Sequence, residues 1–481
     1  MEDPTTQVWR ALGGDPRSAP EVVRTGRAVW TSVTPVATLA RTAVEVCAMA
    51  AAEFTASDAA GPAAVPGPVR CDAGGVAAAF TSERHLRVDG RPPALFAPLS
   101  RFWPTSDGWV RTHANYPHHR DRLLTALGLP RLTAREQRSA APDAAEAVAV
   151  EAVAAELADR SAVEVERTVQ VAGGLAVAVR TPAEWAAHSQ GRSAARRPLP
   201  QIERLDDAAP RRAPYGRFRV LDLTRVIAGP VATRTLALLG ADVLRIDPPW
   251  LPESADAHAD TGFGKRSAAL DLSGRSGRAV VEELLAGADM VVTGYRPGAL
   301  DRYGLAPHDL VARHPGLVTG RLGAWGSDGP WAGRRGFDSL VQAASGIAVV
   351  EGRPGGAVPR DRVFEPGRLP AQALDHGSGY LLAAALLRCL SERRAGAAGS
   401  RIVELSLAGT AAWLLDGLPD EGRTTAPGDG GATGPGPWLA ERTSPLGRLR
   451  HVRSPVRFDG GPDDWSRPPG RPGADPPRWR D

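Results

Sequence analysis

The stretch from Arg219 to Asp247, RVLDLTRVIAGPVATRTLALLGADVLRID, constrains the fold more than any other. Val220, Leu221 and Leu223 read as a short buried strand, and a tight turn follows at Ala228-Gly229-Pro230. A helix with apolar Val231, Leu236, Leu238 and Leu239 comes next and stops at Gly240. A second apolar strand, Val243 to Ile246, closes the segment. This is one βαβ unit, the building block of a parallel sheet with covered faces. Proline in the first helical turn and glycine just past the end are its expected punctuation. Free backbone N–H groups at the helix start favour an anionic ligand there.

Bulk properties narrow the classes. With 481 residues, 43% of them hydrophobic, the chain can bury sizeable cores. It has room for two or three domains of ~150 residues each. No apolar run is long enough to span a membrane. The opening residues MEDPTTQVW are acidic and polar, unlike a signal peptide, so a cytoplasmic protein is expected. The net charge of +4 comes from scattered arginines, and Lys265 is the only lysine. No basic cluster is interleaved with aromatics, which disfavours nucleic-acid binding. Cys47, Cys71 and Cys389 form no CxxC pair, so neither structural zinc nor a disulfide framework is expected. His113, His118 and His119 match no common zinc spacing, with Asp121 the only carboxylate close by, and read as surface or packing residues. Neither a GxGxxG fingerprint nor a P-loop follows the first strand, which disfavours NAD and ATP.

Four blocks carry a more specific signal. Asp222 to Pro230, continued by Leu239-Gly240-Ala241-Asp242-Val243, resembles the opening of family III CoA-transferases (the CaiB/BaiF family). Gly264-Lys265-Arg266-Ser267 with Leu270-Asp271-Leu272 follows in the family's order, then Tyr295-Arg296-Pro297-Gly298-Ala299-Leu300. Gly329-Pro330-Trp331 with Arg335-Gly336-Phe337-Asp338 completes the set. The resemblance covers about residues 216 to 410. It implies an α/β protein: a Rossmann-like parallel-sheet domain binding coenzyme A, plus a smaller α+β domain. The N-terminal half resembles the family's small C-terminal domain, through Asp107-Gly108-Trp109-Val110 and Val179 to Glu184. Here that material precedes the CoA domain, so the domain order is rearranged.

The expected organisation is a small α+β domain over 1–200, a linker over 201–214 and the CoA-binding domain over 215–418. A Gly/Pro-rich linker over 419–440 and a return segment with a disordered tail over 441–481 complete it. Within the small domain, Phe102 to Val110 reads as a hairpin turning at Asp107-Gly108. Thr181-Pro182 reads as the N-cap and first residue of a helix.

The catalytic candidate is Asp375, in Ala373-Leu374-Asp375-His376-Gly377-Ser378-Gly379-Tyr380 before an apolar helix. A carboxylate at a helix start is held ionised by the dipole and by N–H donors. Taken alone, the residue reads first as a helix cap. The resemblance places it on the family's nucleophilic aspartate, which attacks an acyl-CoA thioester and carries CoA to an acceptor carboxylic acid through covalent steps. Gly377 and Gly379 are then candidates to present oxyanion N–H groups. The resemblance assigns Val226, Ile227, Ala228 and Gly229 to the nucleotide, Lys265 and Arg266 to its phosphates, and Tyr295, Arg296 and Pro297 to the adenine or pantetheine. It implies no metal and no redox cofactor. Asp338 reads as a capping and packing residue. Relatives that racemise 2-methylacyl-CoA carry histidine where this chain has Phe337, so one base of a two-base proton transfer is missing. That makes a racemase the alternative, along with a non-catalytic acyl-CoA-binding pseudoenzyme. Family members form interlocked homodimers, and a rearranged chain is either such a homodimer or a monomer supplying both halves. The glycine segment 428–436 reads as a linker rather than a lid.

Overall fold

The structure, a computed structural model, describes residues 2–27, 30–61, 64–131, 142–197, 199–205, 216–354, 364–419 and 434–480. The first long element is helix α1 (Val36–Ala60), alanine-rich and therefore a strong helix former. It ends at Gly61, whose φ of 87° suits only glycine. Leu39, Ala43, Val44, Cys47, Ala50 and Phe54 are all buried, because α1 lies inside the protein rather than on its surface.

Three short strands follow, β1 (Phe102–Pro104), β2 (Trp109–Thr112) and β3 (Ala176–Ala178), in an antiparallel sheet. The β1–β2 hairpin turns at Asp107-Gly108, as its sequence predicts. Leu99, Trp103, Val110, Leu123, Val153, Val165 and Ala176 form a separate small core here. Thr181 then caps the helix Pro182–Ala187 in a reciprocal capping box with Glu184.

The main sheet has seven strands. They are β4 (Gln201–Leu205), β5 (Arg219–Leu223), β6 (Asp242–Asp247), β7 (Arg266–Ala269), β8 (Met290–Thr293), β9 (Val318–Gly323) and β10 (Ser400–Ser406). Their order across the sheet is β7-β6-β5-β8-β9-β10-β4. All are parallel except β4, which runs antiparallel to β10 at the edge. This is the doubly wound Rossmann arrangement, and its topological switch point lies between β5 and β8. Helix α2 (Ala228–Leu238) leaves β5 at that point. Two more helices bear on the site, α3 (Asp338–Ser345) and α4 (Ala373–Arg394).

Three expectations about organisation are corrected. Residues 201–205 are not linker: they form the edge strand β4, while 206–214 lie outside the described residues. Residues 1–200 do not form one body with its own core. α1 packs against α4, and the apolar cluster that contains it runs from Val8 to Trp465, apart from the small core of the three-stranded sheet. The C-terminal tail is not disordered. A hairpin, β11 (Leu439–Ser444) and β12 (Gly447–Val452), pairs with Arg87–Val88, and the tail then crosses the parallel-sheet region. Trp465 Nε1 donates to Arg234 O at 2.7 Å and Trp479 Nε1 to Leu284 O at 2.9 Å. Its Pro/Gly/Arg composition resembles a disordered segment, but buried Trp465 and half-buried Trp479 anchor it. Of the expected 419–440 linker, 420–433 lie outside the described residues, and with them most of the glycine segment. Cys47, Cys71 and Cys389 are free and buried. Among the described residues no helix is long and apolar enough to cross a membrane.

Candidate active site at the switch point

The turn after β5 forms one wall of the switch-point crevice. Val226 sits in the left-handed region at φ 69°, an outlier for a β-branched residue. Such strain costs about 1–3 kcal/mol and survives only where neighbours enforce it. Here the Glu253 carboxylate accepts the Val226 N–H at 2.8 Å, and the Tyr116 hydroxyl donates to Glu253 at 2.9 Å. Ile227 is half-buried, and Ala228 and Gly229 begin α2. A Cβ on Gly229 would lie 2.5 Å from the Thr224 side chain, so only glycine lets the turn close. The turn after β8 forms the facing wall, with Tyr295, Arg296 and Pro297 half-buried. The Arg225 guanidinium stands against Tyr295, whose phenol burial pushes upward in pKa. The structure therefore brings Val226 to Gly229 and Tyr295 to Pro297 together across one crevice.

Lys265 and Arg266 are not on that surface, which corrects their assignment to phosphates. Lys265 is 3% exposed and its Nζ donates to Asp222 Oδ2 at 3.0 Å, Pro230 O at 3.0 Å and Thr233 Oγ1 at 2.6 Å. All three ammonium donors are spent, leaving none for a ligand. Burial works against the Asp222 charge, but Lys265, Arg245 and two hydroxyls outweigh it and hold Asp222 ionised below its ordinary range. Arg266 makes a bidentate pair with Asp242, both bonds at 2.9 Å, and donates to Arg478 O, tying down the tail.

Asp375 is the third residue of α4 and 7% exposed. One turn on, a Cβ at Gly379 would lie 2.6 Å from Ala228 O and 2.9 Å from Val231. The start of α4 is thus pressed against the start of α2, at the crevice. At Gly377 a Cβ would meet Leu39 of α1 at 2.7 Å. These glycines serve helix packing, and both lie inside α4, where N–H groups bond along the helix. Their assignment as oxyanion donors is corrected accordingly.

Asp338, at the start of α3, caps α4 rather than its own helix alone. Its Oδ2 accepts the N–H groups of Leu374 and Asp375, each at 3.0 Å, and its Oδ1 accepts from Gln342. The free donors at the α4 start therefore go to Asp338, not to the Asp375 side chain. This overturns the expectation that the helix start keeps Asp375 ionised. Burial raises Asp375 well above the usual carboxylate range, and the charges of Asp338 and Glu83 add to it. Burial also pushes Asp338 up to about 6, against the hydrogen bonds it accepts.

The neighbouring histidines are committed elsewhere. His376 is fully buried, stacks on Phe80 at 5.3 Å, and meets Glu83 Oε2 through Nε2 at 3.3 Å. The His113 ring lies flat on Phe337 at 3.7 Å between centroids, and burial pushes its pKa down to about 3. His118 and His119 pack beside Tyr116. Among the described residues no group of three or more His, Cys, Asp or Glu side chains is placed to hold a metal. Glu83 and Glu253 contact these elements and were missed by sequence reasoning. No motif marks either of them, and each reaches the site from a distant part of the chain. A narrow cleft with a cavity volume of about 20 Å³ lies at the ends of β9 and β10, beside Pro297, but Asp375 does not line it and its Arg197, Arg321 and Glu404 are already paired.

Comparison with known proteins adds a family. Residues 67–203 and 217–434 match the family described as CoA-transferase family III. A probable fatty acyl-CoA transferase of Mycobacterium tuberculosis is 34% identical over 193 residues, covering 37% of this chain and 47% of that protein. A succinate–glutarate CoA-transferase of Agrobacterium fabrum is 36% identical over 171 residues, covering 32% and 42%. The crystal structure of a CaiB/BaiF family protein from Brucella suis is 30% identical over 42% of this chain and 55% of that one, with a TM-score of 0.37. The chain spans less than half the length of these two curated relatives.

Proposed function

The chain belongs to CoA-transferase family III, and from that premise we propose that it moves coenzyme A from an acyl-CoA thioester to a carboxylic acid through a covalent intermediate on Asp375. The observation that carries this reading is the placement of Asp375: a buried carboxylate at the start of α4, with its helix pressed against the strained turn after β5. The Asp375 carboxylate attacks the thioester carbonyl. A C–O bond forms, the C–S bond breaks, and CoA leaves as thiolate, giving an aspartyl mixed anhydride. The thiolate then attacks the aspartyl carbonyl, releasing the donor acid and leaving CoA on Asp375. The acceptor carboxylate and the thiolate repeat the two steps in reverse, and Asp375 is regenerated. Splitting one transfer into such steps lowers each barrier.

The raised pKa of Asp375 fits a nucleophile that must not be over-stabilised as a free anion. Val226 to Gly229 and Tyr295 to Pro297 are the walls along which CoA would lie. The parallel-sheet region is read as the CoA domain and the α+β unit as its cover. α1 and Glu83 both reach α4 from within the chain. A racemase would need a second base, and Phe337 under the His113 ring and His376 facing Glu83 leave that role unfilled.

The test is mass spectrometry after incubation with a panel of acyl-CoA thioesters and trapping with hydroxylamine. A mass change on the peptide containing Asp375, absent in Asp375→Ala, is expected. Measurable CoA binding without any adduct would point to a pseudoenzyme, and exchange of an α-proton for solvent deuterium to a racemase.

A further inference from the structure

The segment around α1 repeats the unit that carries Asp375. Leu39 to Gly61 in α1 matches Leu374 to Gly396 in α4 at a constant separation of 335 residues. Leu39, Ala48, Ala50 and Gly61 recur as Leu374, Ala383, Ala385 and Gly396, and both glycines have positive φ. Upstream, Trp30, Ser32 and Pro35 recur with the same spacing as Trp325, Ser327 and Pro330. Downstream, Gly75 and Ala77-Ala78 recur as Gly409 and Ala411-Ala412.

The fold repeats with the sequence. Val22–Thr25 and Val69–Asp72 flank α1 and pair in parallel, as β9 and β10 flank α4 and pair in parallel. A short helix follows each second strand, capped by that strand's last side chain. Asp72 accepts the N–H groups of Gly74 and Gly75, and Ser406 accepts that of Gly409. The two long helices lie side by side, run the same way and are in register. Leu39 abuts Gly377 at their starts, and at their ends Arg394 donates to Ser57 Oγ at 2.9 Å and to Asp58 Oδ1 at 2.8 Å. Near those ends Arg388 pairs with Glu53, the residue at its own matching position. A residue that meets its own counterpart lies on a two-fold axis, the relation on which isologous dimers are built.

The copies part company at the chemistry. Ala40 stands in the position of Asp375 and Arg41 in that of His376. Pro35 matches Pro330 from one side and Pro370 from the other, so the stretch between those two, which holds Asp338, has no counterpart. In the position of Tyr380, α1 has Glu45, whose buried carboxylate accepts from Arg24 Nε at 2.7 Å and from Thr5 Oγ1 at 2.5 Å. A satisfied ion pair therefore closes the matching end of α1. We infer that residues 22–79 are a degenerate second copy of the unit over 318–412 and serve as a built-in two-fold partner for α4. The protein then acts as a monomer with one CoA site, because α1 already covers the face through which α4 would meet a second chain. That the pair of copies holds one nucleophile rests on the reading of Asp375.

The experiment is sedimentation velocity of the full chain with and without CoA, joined to calorimetric titration with CoA. The mass of a single chain at every concentration and one CoA per chain are expected. A dimer, or two CoA per chain, overturns the inference. A charge swap tests the axis itself. Arg388→Glu and Glu53→Arg each set like charges face to face and should each lower Tm by about 2 °C or more. The double variant should regain most of that loss and stay a monomer. No recovery in the double variant would show that the two positions do not face each other, which also overturns the inference. Should a single variant misfold, the wild-type mass still decides. Hydroxylamine trapping separates this inference from the aspartyl mechanism. A monomer that binds one CoA but forms no adduct keeps the built-in partner and loses the mechanism. A dimer with an adduct on Asp375 keeps the mechanism and loses the built-in partner.

Discussion

Two buried clusters of charge lie at the switch point, and they are built on opposite plans. Below β5, Asp222 faces Lys265, Thr224 and Thr233, and every donor of the ammonium has an acceptor. At the start of α4, Asp375 faces Asp338 and Glu83, two more negative groups, and lends Asp338 its own backbone N–H. Burial is nearly complete in both. Asp222 is held ionised below its ordinary range, while Asp375 is pushed well above it. A buried charge with all partners present is structural. A buried charge set among like charges is held at a cost that a reaction can relieve.

The largest test of that contrast is at Asp375. Asp375→Asn should cut transfer at least about a thousandfold, because it removes the proposed nucleophile. The same change should raise thermal stability at neutral pH, since it deletes one of three crowded negative groups. An inactive variant that is also less stable would place Asp375 with Asp222 as a structural residue.

Lys265→Met probes the other cluster. It leaves Asp222 buried and unpaired, so denaturant unfolding should show a loss of about 3–5 kcal/mol. Weakened CoA binding with stability unchanged would break the contrast and return Lys265 to a phosphate-binding role.

pH sharpens the comparison further. As the proposed nucleophile Asp375 must ionise, so kcat/KM for acyl-CoA should climb as pH rises through its raised pKa, well above the usual carboxylate midpoint of 3.8. Stability runs the other way in this window. The folded state keeps the protons of Asp375 and Asp338 to higher pH than the unfolded chain does. Their contribution is therefore full below 3.8 and fades as pH rises through about 6 for Asp338 and through the raised pKa of Asp375. In Asp375→Asn the stability curve above pH 3.8 should flatten; an unchanged slope would mean that Asp375 does not titrate there.

The smallest expected effect is at Glu83. Glu83→Gln removes one like charge, so the acidic limb of the rate profile should move to lower pH by up to about 1 pH unit. A limb that stays in place would show that burial alone, with Asp338, sets Asp375.

How much of this could be read from the chain depended on distance along it. The βαβ unit was legible because its strand, turn and helix signals lie within one contiguous stretch, Arg219–Asp247. The hairpin at Asp107-Gly108 and the cap at Thr181 were legible for the same reason. Gln201–Leu205 was read as linker because an edge strand with one paired side needs no apolar pattern. The tail was misjudged because its anchors, Trp465 and Trp479, gain meaning only from acceptors at Arg234 and Leu284. At the site, Asp375 stood out through the motif around it, whereas Lys265 and Arg266 looked like free cations.

The sequence by itself determined the parallel α/β class, the position of the crevice turns and the aspartate at the head of α4, since each rests on short-range patterning. Only the tertiary structure decided which charges are spent and which are available. Asp222 silences Lys265 from 43 residues away, and Glu83 comes to His376 across 293. Electrostatic interaction acts through space and deepens with burial. A one-dimensional pattern records neither the separation of two charges nor the solvent removed from around them.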